Sequence, residues 1–153
     1  MEAGRSENIR PGSPNIIDRV EAGLLSYGNE MTVENTPLEC NMDKFVDINK
    51  EVDYIGKKVL LRQIKYGVKR RIRGAIYEGP ELPTISTPLQ VFDTDKRTIV
   101  GSLTSGAFSP HFKSNIGLGM IGYGCWDNNK EIFVKISDQE FRKGLIKDLP
   151  LIQ

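Results

Sequence analysis

Two cysteines, one histidine and one tryptophan in 153 residues leave several kinds of chemistry with too few parts. Cys40 and Cys125 form no C-x-x-C pair, and with His111 alone they are too few soft ligands for a zinc site or a disulfide scaffold. They read as reduced, buried thiols, and nothing in the sequence couples either one to His111 as a nucleophilic pair. No metal site is expected. No stretch approaches the roughly 18 apolar residues that cross a bilayer, and the opening residues Met1-Glu2-Ala3-Gly4-Arg5-Ser6-Glu7-Asn8 lack the apolar core of a secretory signal. The expectation is a soluble, cytoplasmic protein without a membrane partner. An excess of one charge is also missing. With 21 basic residues against 20 acidic ones, no whole-molecule field demands nucleic acid or an acidic partner.

The 39% of residues that are hydrophobic suffice for one compact domain, or for a domain with an appendage. Residues 1–12 are polar and read as a lead-in or as the tail of something longer. Ser13 is placed to cap a helix, Pro14 to occupy its first turn and Asp18 to sit near its positive end, with Ile16, Ile17 and Val20 on one face. Gly23 ends that helix, and Leu24-Leu25-Ser26-Tyr27 reads as a strand. Arg19 and Glu21 lie two apart, point in different directions and so reach separate partners. Residues 29–53 carry seven carboxylates and two lysines and read as an irregular linker, with at most a short strand near Lys44-Phe45-Val46. From Ile55 to Ile64 the spacing of Ile55, Val59, Leu60, Gln63 and Ile64 predicts a helix that Gly67 terminates.

Beyond Gly67 the pattern changes to short extended segments separated by turn residues. Strands are expected over 69–77, 88–92, 98–105, 115–121, 131–137 and 140–147. Six strands so spaced argue for an antiparallel barrel, because closure removes exposed edges. The predicted fold is mainly β: a six-strand antiparallel barrel over residues 67–153, preceded by an α+β appendage over residues 1–66.

Three motifs carry possible chemistry. Gly117-Leu118-Gly119-Met120-Ile121-Gly122 spells G-x-G-x-x-G, but no helix pattern opens after it to receive a pyrophosphate, so the glycines read as a bend or a close contact within a strand. Thr104-Ser105-Gly106-Ala107-Phe108-Ser109-Pro110 contains two serines without nucleophile-elbow geometry and reads as a turn. The segment 57–73 holds eight basic residues and no acid; taking those eight charges from the net +1 leaves −7 for the rest of the chain. A phosphate backbone would use such an island, yet single-strand binders interleave aromatics with their cations, and only Tyr66 interrupts this run. A solvated face is favoured over nucleic acid, with docking to a polyanionic cofactor tail or an acidic partner between them.

A family resemblance rests on Arg19-Val20-Glu21-Ala22-Gly23, Tyr27-Gly28-Asn29-Glu30-Met31, Pro37-Leu38-Glu39, Tyr54-Ile55-Gly56-Lys57 with Leu60, Thr104-Ser105-Gly106 with Ser109-Pro110, and Leu149-Pro150, in that order. Together they resemble the glycine-cleavage T-protein (aminomethyltransferase) family, and Gly23 to Asn29 with Pro37-Leu38-Glu39-Cys40 is most similar to its dimethylsulfoniopropionate demethylase branch. The resemblance implies the C-terminal part of a tetrahydrofolate-dependent methyl or aminomethyl transferase. Residues 1–66 would then be the remnant of a folate-binding region with a linker helix, and residues 67–153 the C-terminal barrel. Arg19, Glu21, Tyr27 and Glu39 are the implied cofactor-binding positions, and no catalytic residue is assigned. The cofactor would be tetrahydrofolate, its site incomplete because most of the folate-binding region precedes the matched segment. The substrate would be a small sulfonium or amine, and the partner a separate N-terminal half or a second copy. A truncated gene, half of a split enzyme and an excised piece all fit, and the isolated chain is expected to be inactive. The alternative is a non-catalytic barrel that uses residues 57–73 to hold an acidic partner or nucleic acid.

Overall fold

The structure, a computed structural model, describes residues 15–152. Helix α1 (Ile16–Glu21) is capped by Asn15, whose side-chain oxygen accepts the Asp18 amide at 2.8 Å. The cap therefore falls on Asn15; the positions expected for it, Ser13 and Pro14, lie outside the described residues. Gly23 closes the helix as anticipated, with φ 68°, while the Leu24 amide reaches back to the Arg19 carbonyl at 2.9 Å. Residues 24–27 do not form the expected strand. Their backbone is taken up by a turn in which the Asn29 and Glu30 amides both donate to the Ser26 carbonyl, leaving only an isolated bridge between Tyr27 and Met31. A single 3-10 turn, Asp43–Phe45, replaces the short strand considered near Lys44. Helix α2 (Lys57–Tyr66) follows, with Gly67 at its C-terminal cap.

The remaining six elements are the six expected strands: β1 (Arg70–Tyr77), β2 (Leu89–Phe92), β3 (Ile99–Ser109), β4 (Ser114–Gly122), β5 (Glu131–Lys135) and β6 (Phe141–Lys147). They close into an antiparallel barrel in the order β1-β4-β3-β2-β5-β6, with β6 returning to β1. Alternation along each strand sends Ala75, Tyr77, Val91, Leu103, Ile121, Ile132, Val134 and Ile146 inward to one apolar core. Burial lifts the Tyr77 hydroxyl to a pKa of about 12.

The glycines of Gly117 to Gly122 serve β3–β4 contact. A Cβ on Gly119 would fall inside the Ser102 carbonyl oxygen, and one on Gly117 would come within 2.8 Å of Leu103 Cδ1. Tight backbone approach explains them, and no helix begins after Gly122.

A second, smaller core lies outside the barrel. Val20 is completely buried with Ile116 and Leu118, and Ile16, Leu25, Phe112 and Leu149 surround them. α1 therefore packs on β3 and β4. The apolar side of α1 is covered by the barrel at Ile16 and Val20, whereas Leu24 remains exposed. Large exposed apolar side chains line a common groove elsewhere, at Phe45, Val52, Ile55 and Val59.

Candidate functional site

The site is built from the end of α1, the turn that follows it and residues 36–41. Arg19 leaves the last turn of α1 and folds back over the helix end. One terminal nitrogen donates to the Leu24 carbonyl at 2.8 Å and to Glu30 Oε2 at 3.0 Å, and the other donates to Glu30 Oε1 at 3.3 Å. The Glu30 side chain is 0% exposed and that of Arg19 15%. Such a carboxylate persists because hydrogen bonds replace its lost water. Glu30 also accepts the Ser26 amide at 2.7 Å. Burial raises the Glu30 pKa, but hydrogen bonds from Arg19, Ser105 and Ser26 outweigh it and hold the pKa below the ordinary carboxylate value. A guanidinium has five N–H donors. The three bonds just described leave two of them unspent among the described residues.

Glu21 points elsewhere, as the spacing requires. Its Oε1 accepts the Ser109 hydroxyl at 2.5 Å, and Ser109 in turn accepts the Phe112 amide at 3.1 Å. The Glu21 carbonyl receives the Leu151 and Ile152 amides, so this one residue ties α1 to the end of β3 and to the C-terminal tail. Glu39 is a third buried acid. It accepts the Thr36 amide at 2.9 Å and Arg70 Nε at 3.0 Å. Its carbonyl accepts the Ile72 amide while Asn41 donates to the Ile72 carbonyl. Residues 39–41 thus complete the stretch of β1 that β6 does not reach, since pairing with β6 starts at Gly74.

The four residues singled out in the sequence consequently do not converge on one cavity. Arg19 is joined to Glu30, Glu21 to Ser109 and Glu39 to Arg70, and the Tyr27 ring is exposed. Ser109, which bonds Glu21, and Ser105, which bonds the Arg19 partner Glu30, belong to the string read in sequence as a turn, yet both lie buried within β3. The serines carried no local signal of this role, because their acids lie about 80 residues earlier in the chain.

Two clefts flank this arrangement. A groove of about 650 Å³ is lined by Pro37, Phe45, Val52, Tyr54, Ile55 and Val59. A second cleft of about 880 Å³ lies between α2 and the start of β1, with Arg62, Tyr66, Lys69, Arg70, Glu39 and Tyr123 on its walls. Arg19 lines neither cleft. Cys40 sits beside Glu39 within residues 36–41, and Cys125 lies beside Asp93. Burial raises both their pKa values, reinforced by Glu39 at Cys40 and by Asp93 at Cys125, whose Sγ lies 3.7 Å from an Asp93 oxygen. Among the described residues no group of three His, Cys, Asp or Glu is placed to hold a metal ion, and no helix is long and apolar enough to cross a membrane.

Residues 70–150 match the glycine cleavage T-protein C-terminal barrel domain. The chain is 44% identical over 124 residues to a dimethylsulfoniopropionate demethylase of Ruegeria pomeroyi, a match covering 81% of this chain and 33% of that protein. It is 37% identical over 139 residues to an aminomethyltransferase of Caldanaerobacter subterraneus subsp. tengcongensis, covering 88% of this chain and 36% of that one. In fold it is similar to the crystal structure of glycine cleavage system aminomethyltransferase T from Bartonella henselae, with TM-score 0.76 and 24% identity over 88% of this chain and 37% of that chain. The chain thus spans about a third of the length of these relatives.

Proposed function

The chain belongs to the glycine-cleavage T-protein family, and from that premise we propose that it is the C-terminal portion of a tetrahydrofolate-dependent methyl or aminomethyl transferase. In this reading residues 1–66 are the edge of the folate-binding region and residues 67–153 are the barrel that braces it. The observation that carries the proposal is the posture of Arg19. A guanidinium clamped by a buried carboxylate, with two donors left over, is a preorganised fork for a second carboxylate. The glutamate carboxylate of folate is such a group.

The fit to tetrahydrofolate is one-sided. Its carboxylate end suits Arg19, with the exposed Tyr27 nearby in sequence, whereas Arg19 opens into neither large cleft, so the described residues do not accommodate the pterin ring. When bound, tetrahydrofolate supplies the nitrogen that takes up the one-carbon group. The residues of this chain orient it: Arg19 fixes the carboxylate, while Glu21 and Glu39 hold α1 and residues 36–41 against the barrel. Methyl transfer from a sulfonium donor asks for little more than alignment and exclusion of water, because the thioether is already a good leaving group.

The pterin wall then comes from an upstream polypeptide, whether a separate half or a region of a longer protein. The apolar groove at Phe45, Val52, Ile55 and Val59 is where that polypeptide docks, since such a surface is otherwise left to water.

The test mixes the 153-residue chain with the N-terminal part of the Ruegeria pomeroyi demethylase and follows methylated folate. No turnover is expected from the chain alone, with restoration on mixing. Arg19→Lys keeps the charge and loses the fork, so it is expected to raise KM for the folate more than it lowers kcat. Turnover by the chain alone overturns the half-enzyme reading, and an unchanged KM removes Arg19 from its role.

A further inference from the structure

We propose that the cleft between α2 and the β4–β5 turn binds a short single-stranded nucleic acid, its bases stacking on Tyr66 and Tyr123 and its phosphates meeting Arg62 and Lys69. The basic island of residues 57–73 lacked aromatics when read along the chain. Folding supplies one from 50 residues away: Tyr123 follows β4, and its amide donates to the Lys69 carbonyl at 2.8 Å, so the ring and the lysine enter the cleft together. The Tyr123 ring is braced edge-to-face by Trp126, with centroids 5.2 Å apart, yet Tyr123 stays 79% exposed. Tyr66, at the end of α2, is 73% exposed, and the Lys65 ammonium lies 5.2 Å from its ring centroid.

Folding also sorts the eight cations. Arg70, Arg71 and Arg73 are paired with Glu39, Asp43 and Asp148, and Lys57 is spent on the Lys50 and Val52 carbonyls. Arg62 and Lys69 line the cleft with no acidic partner among the described residues, and Arg70 contributes a shared, half-exposed charge. A merely solvated basic face accounts for the lysines. It does not account for two tyrosine rings held in the open beside them. An acidic protein segment would engage the cations and leave the rings idle, whereas nucleic acid uses both, because every base has a face to stack and every linkage a charge.

The experiment is fluorescence anisotropy of the full 153-residue chain with a labelled oligothymidylate of about twelve nucleotides, run beside an abasic strand of equal length and a poly-glutamate peptide of equal charge. With about three phosphates neutralised, log K is expected to fall with log salt at a slope of about −2. Tyr66→Ala and Tyr123→Ala are each expected to weaken binding by roughly fivefold or more, and Tyr123→Phe to leave it unchanged. Arg62→Gln should make the salt slope shallower by about 0.7. Equal affinity for the abasic strand, indifference to loss of both rings, or preference for the acidic peptide each overturns the proposal. The abasic comparison uses the unaltered chain, so it decides the matter even where a variant folds poorly.

Discussion

Arg19→Ala is the most informative single change, because it tests the geometry on which the functional reading depends. The substitution removes three hydrogen bonds, two to Glu30 and one to the Leu24 carbonyl. It leaves a fully buried carboxylate with the Ser26 amide as its fixed backbone donor. Breaking a buried pair by deleting one partner costs about 3–5 kcal/mol, since the remaining charge stays out of water. A small domain has about 5–15 kcal/mol in all, so the loss consumes much of its stability. Arg70→Ala is the control. Arg70 is paired to the buried Glu39 at the same 3.0 Å, but its own side chain is 46% exposed against 15% for Arg19, so water screens the pair from one side and its loss should cost about 1 kcal/mol, well below that of Arg19→Ala.

Urea unfolding of both variants measures the contrast, with an unchanged slope showing that the same surface is exposed. The pH dependence supplies a second reading. The folded-state pKa of Glu30 is lowered from its ordinary value of 4.5. Its contribution is therefore present above 4.5 and is lost as pH falls through the folded-state value. Glu30→Gln should flatten that part of the acid limb. A cost for Arg19→Ala below about 1 kcal/mol, no larger than that of Arg70→Ala, would refute the buried-clamp reasoning.

Other outcomes follow from separate parts of the structure. Val20→Ala removes two buried methyl groups from between α1 and β4 and should cost about 2 kcal/mol in urea unfolding. Gly119→Val should abolish the folded barrel, seen as loss of the cooperative melt, because its Cβ collides with the Ser102 carbonyl. Nicotinamide dinucleotides should leave the melting temperature of the unaltered chain where it is, and a clear rise would restore the glycine motif as a ligand site. Cys40 and Cys125 should resist alkylation in the native state and react on unfolding, because burial raises both thiol pKa values.

The barrel was legible because its strands alternate and its turns are marked: Gly79-Pro80, Asp93-Thr94-Asp95 and Asp127-Asn128-Asn129 fall between strands where the sequence pattern puts them. Strand order was not legible, since β1 pairs with β4 rather than β2 through contacts that no local pattern encodes. The appendage was harder for a related reason. Leu24 to Tyr27 has strand-like composition, but the αL turn at Gly23 and the Glu30 side chain claim its backbone first. The apolar spacing in α1 was real, and its partner was the outer surface of β4, which only the closed barrel presents. Within the candidate site, the divergence of Arg19 and Glu21 was readable from helix geometry, whereas their counterparts, Glu30 for Arg19 and Ser109 for Glu21, required the fold.

Glu21, Glu30 and Glu39 are all buried, and each ties a different stretch of the appendage to itself or to the barrel. That arrangement changes what the family-matched acids mean. The Glu39 carboxylate already accepts the Thr36 amide and Arg70, and the Glu21 carboxylate is committed to the Ser109 hydroxyl, so both acids place the segments that carry them. Arg19 differs because its donors outnumber the acceptors around it. Its guanidinium is also unable to swing, since leaving Glu30 would strand a buried charge. A fork fixed before the ligand arrives loses little side-chain freedom on binding. The stability cost of Arg19→Ala and any loss of folate affinity in Arg19→Lys therefore have one origin: the carboxylate of Glu30 holds the fork in place.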